Sequence, residues 1–371
     1  MRVTELESER LISVLSKPRK TADPVVLPDF FVDHFVKVGS FDEFMKGLSR
    51  LVSQGGGNLL GNTQFVRRGG NAVNVASALL SLGLSPHVIV TTDDYGLSLL
   101  KALADPRFDL SHVHTDGRMS ATVSVEAEYE GRQVNLMISD SGSASCFGFS
   151  DLTAHDLKAV RESGLVAVVN LNHNAVGSEL VNELFTHVRK ESTAITFIDI
   201  GDPSNRPELL APLVQGPLQD GLVDFVSVNE NECIWLAKTL SDDESRCNGS
   251  LTKPETWRRA AVEVSTRMNA RLLLHTPYYS AMVEQDSFIG VPTLVAKQEV
   301  ICGAGDVWNA AVIWGLLQDL RTEDILLLAN ATAALYVSSP DAAHPSRQDT
   351  VRFLSGPLQF SKRGNNLLKL E

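Results

Sequence analysis

The sequence predicts an α/β fold with a mainly parallel sheet, helices on both faces and a small β lid. Two observations carry this. Short apolar runs alternate with longer helical patterns along most of the 371 residues, and one pair of alternating strands interrupts them. The strand candidates are Val25–Val32, Val88–Thr91, Leu165–Asn170, Ala194–Ile200, Val223–Val228 and Arg271–Thr276. Between them Asn71–Leu82, Gly96–Leu103, Gly177–Lys190, Glu230–Leu240 and Glu255–Asn269 read as helices. Strands apolar at nearly every position need cover on both faces, which βαβ units supply.

Residues 1–23 are polar and end in Lys-Pro-Arg-Lys, so they are set apart as an N-terminal extension or an externally packed helix. The core domain is expected over residues 24–360, with residues 361–371 as a C-terminal tail. Ala121–Tyr129 and Gln133–Ile138 alternate at period two around Glu130-Gly131-Arg132, which is a hairpin signal. The hairpin and parts of residues 34–68 are expected to form the lid, which spans parts of 34–68 and 117–140; Gly55-Gly56-Gly57 reads as loop. Asp306–Asp319 and Thr322–Val337 read as two consecutive helices.

Composition narrows the function. A net charge of −12 without a basic stripe argues against nucleic-acid binding, so anionic ligands must be held by local groups. Cys146, Cys233, Cys247 and Cys302 form no C-x-x-C pair, and therefore outline neither a zinc framework nor a disulfide framework. No apolar run approaches the roughly 18 residues of a membrane span, and a cytoplasmic protein is expected. Asn248-Gly-Ser250 matches a glycosylation acceptor but reads as a surface loop.

Three segments carry chemistry. In Gly303-Ala304-Gly305-Asp306 the glycines let backbone N–H groups approach a phosphate, and the apolar helix that follows aims its positive end at the same point. Asp306 is placed to take a proton from an attacking hydroxyl, or else serves only as a helix cap. Gly69-Gly70-Asn71 with Asn74, preceded by Arg67-Arg68, also opens a helix, and reads either as a polar ligand site or as close helix packing. Asn229-x-x-Glu232 stands where a strand ends and a helix begins, the edge of a parallel sheet where ligands bind. It fits both water-mediated magnesium binding and a capping box.

Taken in order, these motifs resemble the ribokinase/PfkB carbohydrate kinases over roughly Pro24 to Leu354. Five features carry the likeness: Asp33 after the first strand run, Gly69-Gly70-Asn71 with Asn74, Asp93-Asp94-Tyr-Gly96, Asn229-x-x-Glu232 and Gly303-Ala-Gly-Asp306. The resemblance implies a ribokinase-like fold and an aspartate base at Asp306 within the anion hole of Gly303, Ala304 and Gly305. It implies an acceptor site of Asp33, Gly69, Gly70, Asn71 and Asn74. A nucleotide donor, ATP or ADP, is expected near Asn229, Glu232, Thr276 and Asn330, with Mg2+ held indirectly through water on Glu232. Lid strands in that family often pair between subunits, so the resemblance allows a homodimer through the β lid.

Two segments depart from the family. Val300-Ile301-Cys302 replaces the usual Asp-Thr-Thr, and Thr276-Pro277-Tyr278-Tyr279-Ser280-Ala281 replaces Thr-x-Gly-x-x-Gly. The expected activity is phosphoryl transfer from a nucleotide to a hydroxyl of a small sugar, sugar phosphate or nucleoside, with little response to potassium. A noncatalytic sugar- or nucleotide-sensing protein is the alternative. His34, His173 and Cys302 read as solvated, hydrogen-bonded or packed residues. Asp199 and Asp202 read either as site residues or as turn residues.

Overall fold

Alternation along the core strands decides the architecture. In the computed structural model, which describes residues 5–240, 253–300 and 302–369, Val25 and Leu27 enter one apolar layer while Val26 enters the other. Leu165 and Ala167 likewise divide from Val166 and Val168. Each strand thus has no wet face. Helices Asn71–Ser81, Ala304–Leu317 and Thr322–Val337 cover one side, and Gly177–Glu191, Glu230–Leu240 and Pro254–Ser265 the other. Cys247, Asn248–Ser250 and Ile301 lie outside the described residues.

Along the chain the strands are β1 (Val25–Leu27), β2 (Phe31–Ser40), β3 (Thr63–Gly69), β4 (His87–Val88), β5 (Val90–Thr91), β6 (Val113–His114) and β7 (Ser120–Tyr129). They continue with β8 (Arg132–Asp140), β9 (Leu165–Val168), β10 (Ile195–Asp199), β11 (Phe225–Asn229), β12 (Arg271–His275), β13 (Tyr279–Glu284) and β14 (Ser287–Pro292). The central sheet runs β14-β13-β12-β11-β10-β9-β1-β4, parallel from β12 to β4 and antiparallel at β13 and β14. The lid is a separate sheet, β3-β2-β7-β8. Its hairpin turns at Glu130 and Gly131, both with positive φ, the geometry that matches strand twist.

Several expectations need correction. Val25–Val32 is not one strand: β1 stops at Leu27, because Pro28 has no N–H for the ladder, and the chain resumes as β2 in the lid. Asp33 accordingly sits on a lid strand and not at the end of the first core strand. Between β2 and β3 lies a helix, Phe41–Ser53, where only strands and loop were expected. Its signals are present in the sequence: Ser40 caps it by accepting from the Glu43 N–H at 3.4 Å, and Phe41, Phe44, Met45 and Leu48 recur at helical spacing.

Both ends of the chain pack onto the domain. Helix Glu5–Ser16 buries Leu11 and Leu15, and Arg10 Nε donates to Asp324 Oδ2 at 2.8 Å. Within the stretch set apart at the N-terminus, residues 5–16 form a helix packed on the domain. In the stretch expected as a tail, helix Lys362–Leu367 docks with Leu367 buried and Gly364 close against the Tyr278 carbonyl. No helix among the described residues is long and apolar enough to cross a membrane.

Candidate active site

The parallel strands deliver their polar residues to one edge. β1 leads to Asp29, β9 to Asn170, β10 ends at Asp199, β11 at Asn229 and β12 at His275. Asp29, which the sequence reading did not single out, is buried and accepts from the backbone N–H groups of Asn71 (3.0 Å) and Ala72 (2.8 Å) and from Asn170 Nδ2 (2.9 Å). It thereby anchors the positive end of helix Asn71–Ser81 beneath the site. Gly70 adopts φ +87°, and a Cβ there would lie 2.8–2.9 Å from the backbone of residues 29–31. Gly69 serves a different purpose. A Cβ would fall 2.1 Å from Asp33 Oδ2, so the bare Cα makes room for that carboxylate.

Helix Ala304–Leu317 begins two residues earlier than expected, with Gly303 in the left-handed conformation (φ +85°) as its cap. Its first backbone bond is Val307 N–H to Gly303 O at 3.1 Å, which leaves the N–H groups of Ala304, Gly305 and Asp306 without helical acceptors. Behind them the Tyr336 hydroxyl donates to Cys302 O at 2.8 Å and holds the loop. Asp306 in this first turn is buried and accepts from Asn74 Nδ2 at 3.0 Å. Burial pushes its carboxyl well above the ordinary range; the Asn74 hydrogen bond opposes this, and Asp199, Asp29 and Asp33 add to it. Asp33 is pushed up to about 6 by burial, against the Thr122 hydroxyl, and Asp199 to about 6, again by burial.

Asn229 and Glu232 engage each other. The Asn229 N–H and Nδ2 donate to the two Glu232 carboxylate oxygens at 2.8 and 2.7 Å, and Glu232 N–H donates to Asn229 Oδ1 at 2.9 Å. The capping box is therefore formed, and it holds Glu232 at the sheet edge. Burial, then repulsion from Asp199, raises the Glu232 carboxyl well above its usual value.

Two cavities meet here. One, of about 280 Å³, is lined by Asp33, Gly70, Asn71, Asn74 and Asp306, with Thr122, Met137 and Ser139 of the lid above. The other, of about 340 Å³, lies between Thr276, Ala304, Trp308, Asn330 and Val337. Gly305 and His275 line both, so the free N–H groups stand at the partition. His275 was missed by the sequence reading, because a lone histidine in an apolar strand carries no signal. It lies against Trp308 with ring centroids 5.0 Å apart, and its buried Nε2 has no partner. Burial lowers its pKa to about 4, so the imidazole is neutral at pH 7.

The remaining candidates divide. Thr276 Oγ1 donates to Tyr279 O at 2.7 Å, and the Asn330 amide is held by Trp308 Nε1 and the carbonyls of Val291 and Pro292. Both line the second cavity as wall. Arg67 lies over the stacked Phe35 and Phe65 rings of the lid, with no carboxylate partner among the described residues. Asp199 lines the first cavity, accepting from Asn309 Nδ2 at 2.7 Å, whereas Asp202 makes turn contacts to Ser204. His173 meets Phe31 edge-on in the first cavity wall, and Cys302 also lines it, its thiol pKa raised to about 12 by burial.

Comparison with known proteins bears on the fold and the family. The fold is ribokinase-like. Ribokinase from Arabidopsis thaliana, complexed with ribose and ATP, superposes with a TM-score of 0.68 at 18% identity over 91% of this chain and all of that one. The adenosine kinase of Sinorhizobium meliloti gives 0.65 at 17% identity, covering 91% of this chain and 100% of the other, and the Y23D mutant of Escherichia coli phosphofructokinase-2 gives 0.65 at 18% with the same coverage. Fructoselysine 6-kinase of E. coli K12 is 47% identical over 60 residues, a match spanning 16% of this chain and 23% of that protein. The profile of the pfkB family carbohydrate kinases matches residues 36–349, and the chain belongs to that family.

Proposed function

We propose that this protein transfers the terminal phosphoryl group of a nucleotide, ATP or ADP, to a hydroxyl of a small sugar, sugar phosphate or nucleoside. The observation that carries the reading is the partition between the two cavities, where free helix N–H groups and the Asp306 carboxylate face one another's ligands. The nucleotide occupies the larger cavity, its base against the apolar wall of Trp308 and Val337. The acceptor lies under the lid, its hydroxyls held by Asp33 and Asn71.

In this arrangement Asp306 removes the proton of the attacking hydroxyl while Asn74 orients the carboxylate. A raised pKa suits a base that must compete for a hydroxyl proton. The N–H groups of Ala304, Gly305 and Asp306 take the charge that develops on the phosphoryl oxygens. The His275 ring lines both cavities beside Gly305, and a neutral imidazole carrying its proton on the unpartnered Nε2 would add a further hydrogen bond without a competing charge. The buried Glu232 and Asp199 repel each other without a cation nearby, which fits a magnesium ion held through water; when bound it neutralises donor phosphate charge.

Val300 and Cys302 offer no hard side-chain oxygen for a monovalent cation, and the Cys302 carbonyl already accepts from Tyr336. Replacing sodium by potassium at constant ionic strength should leave turnover unchanged; a several-fold rise would overturn that part. Arg67, at the lid with no acidic partner among the described residues, supports an acceptor bearing an anionic group. The apolar row Val66, Val123 and Ile138, exposed on the lid, supports pairing with a second copy of the chain, which sedimentation would test. The deciding experiment is a matrix of sugars, sugar phosphates and nucleosides against ATP, ADP and GTP, read by phosphorylated product. Binding without product across the matrix would favour a noncatalytic sensor.

A further inference from the structure

At the opposite end of the sheet from Asp306, a second group of side chains converges. His87 opens β4, and its neighbours across the surface are Asp109 and His112, from the chain leading into β6. One ligand atom from each of the three lies within 4.8 Å of those of the other two. His87 Nδ1 is 3.6 Å from Asp109 Oδ2 and has no hydrogen-bond partner, and the His87 and His112 rings meet edge-on with centroids 5.2 Å apart.

What surrounds these three resembles the support of a metal site more than a chance contact. The His112 ring is almost fully buried, and its Nδ1 donates to Asp156 Oδ1 at 2.7 Å. That fixes the tautomer and leaves Nε2 with its lone pair free, as in a carboxylate–histidine–metal arrangement. Asp156 is itself held by His114 Nε2 (2.9 Å) and the Thr153 N–H (2.8 Å). His155 stacks on His112 at 4.1 Å and prevents the ring from turning. Asp109 is anchored by the Ser111 N–H on Oδ1 at 2.9 Å, which leaves Oδ2 for the cluster. His87 and Asp109 are partly exposed, so an ion and a completing water can enter from solvent.

We infer that His87, Asp109 and His112 form a site for a first-row divalent transition metal of the zinc class. Two imidazoles and a carboxylate, with one position open, are a borderline-soft donor set that suits zinc and disfavours magnesium or calcium. The bound ion ties the segment before β6 to the edge strand β4 and stabilises the fold by mass action. Phosphoryl transfer is not needed for this inference.

The test is isothermal calorimetry with zinc chloride on the metal-stripped full chain. It is done in a Cys146→Ser background, because Cys146 is an exposed free thiol that would bind zinc by itself. One saturable equivalent is expected, with a rise in Tm and an X-ray absorption shell of nitrogen and oxygen only. His87→Gln and Asp109→Asn, both at partly exposed positions, should each weaken binding about tenfold or more; His112→Gln tests the buried ligand, provided its melting curve stays cooperative. Absence of saturable binding overturns the site. So does affinity unchanged in the His87→Gln and Asp109→Asn variants, or a sulfur neighbour in the absorption spectrum.

Discussion

Asp306 is the residue on which the proposed phosphoryl transfer turns. Asp306→Asn keeps the Asn74 contact and the helix start but removes the base, so turnover should fall by about 100-fold or more with acceptor binding largely kept. Steady-state kinetics beside equilibrium binding separates the two, and near-normal turnover would remove Asp306 from the mechanism. His275 invites a similar test. His275→Phe keeps a ring against Trp308 but loses the N–H, and should lower kcat by about 100-fold if that group donates to the transferring phosphoryl. An unchanged kcat in a variant with wild-type Tm would leave His275 a packing residue. The two residues differed in legibility. Asp306 was visible because glycines surround it in a known order, whereas His275 acquires its meaning from cavities that no local pattern describes.

Among the elements, the helix starts matter most. Helix Ala304–Leu317 is apolar enough to be buried, and its first three N–H donors stand at the partition without helical acceptors. In helix Asn71–Ser81 two of the corresponding donors, the N–H groups of Asn71 and Ala72, are taken by Asp29. Asp29→Ala would strand the Asn71 and Ala72 N–H groups and the Asn170 amide inside the protein, a loss on the order of 3 kcal/mol by urea unfolding. Asp29→Asn retains one acceptor oxygen and should lose less; equal stability in all three proteins would show that solvent satisfies the donors. The motif order pointed to Asp33, and the structure places it in the wall of the first cavity, but on a lid strand. Asp29, four residues earlier, had no pattern to mark it. Helix Phe41–Ser53 carried a readable N-cap and period, and was obscured by strand-like residues on both sides.

Over the whole molecule, the fold brings Asp29, Asp33, Asp199, Glu232 and Asp306 to one edge, where burial above all raises their carboxyls. Asp33 and Asp199 rise from 3.8 to about 6, so their folded-state pKa values exceed the unfolded ones. Such groups favour the folded state most fully below the unfolded value, and that contribution is lost as pH rises through about 6. The ligand-free protein should therefore lose less stability over this window when one of them cannot ionise. Asp199→Asn removes one titration, and its Tm should fall less than wild type between pH 4 and pH 7; parallel curves would show that Asp199 does not titrate there.

By itself the sequence determined the fold class, the parallel core, the lid hairpin and the order of the glycine-led motifs. These follow from periodicity and from glycine conformations, which are properties of neighbouring residues. Only the tertiary structure decided that Asp33 belongs to the lid, that Asp29 anchors a helix 42 residues away, that His275 stands between two cavities, and that His87, Asp109 and His112 meet. Each of these depends on side chains from distant segments sharing one space, and their spacing along the chain has no fixed relation to that distance. Burial then sets their chemistry, since the same carboxyl or imidazole titrates differently once water is removed.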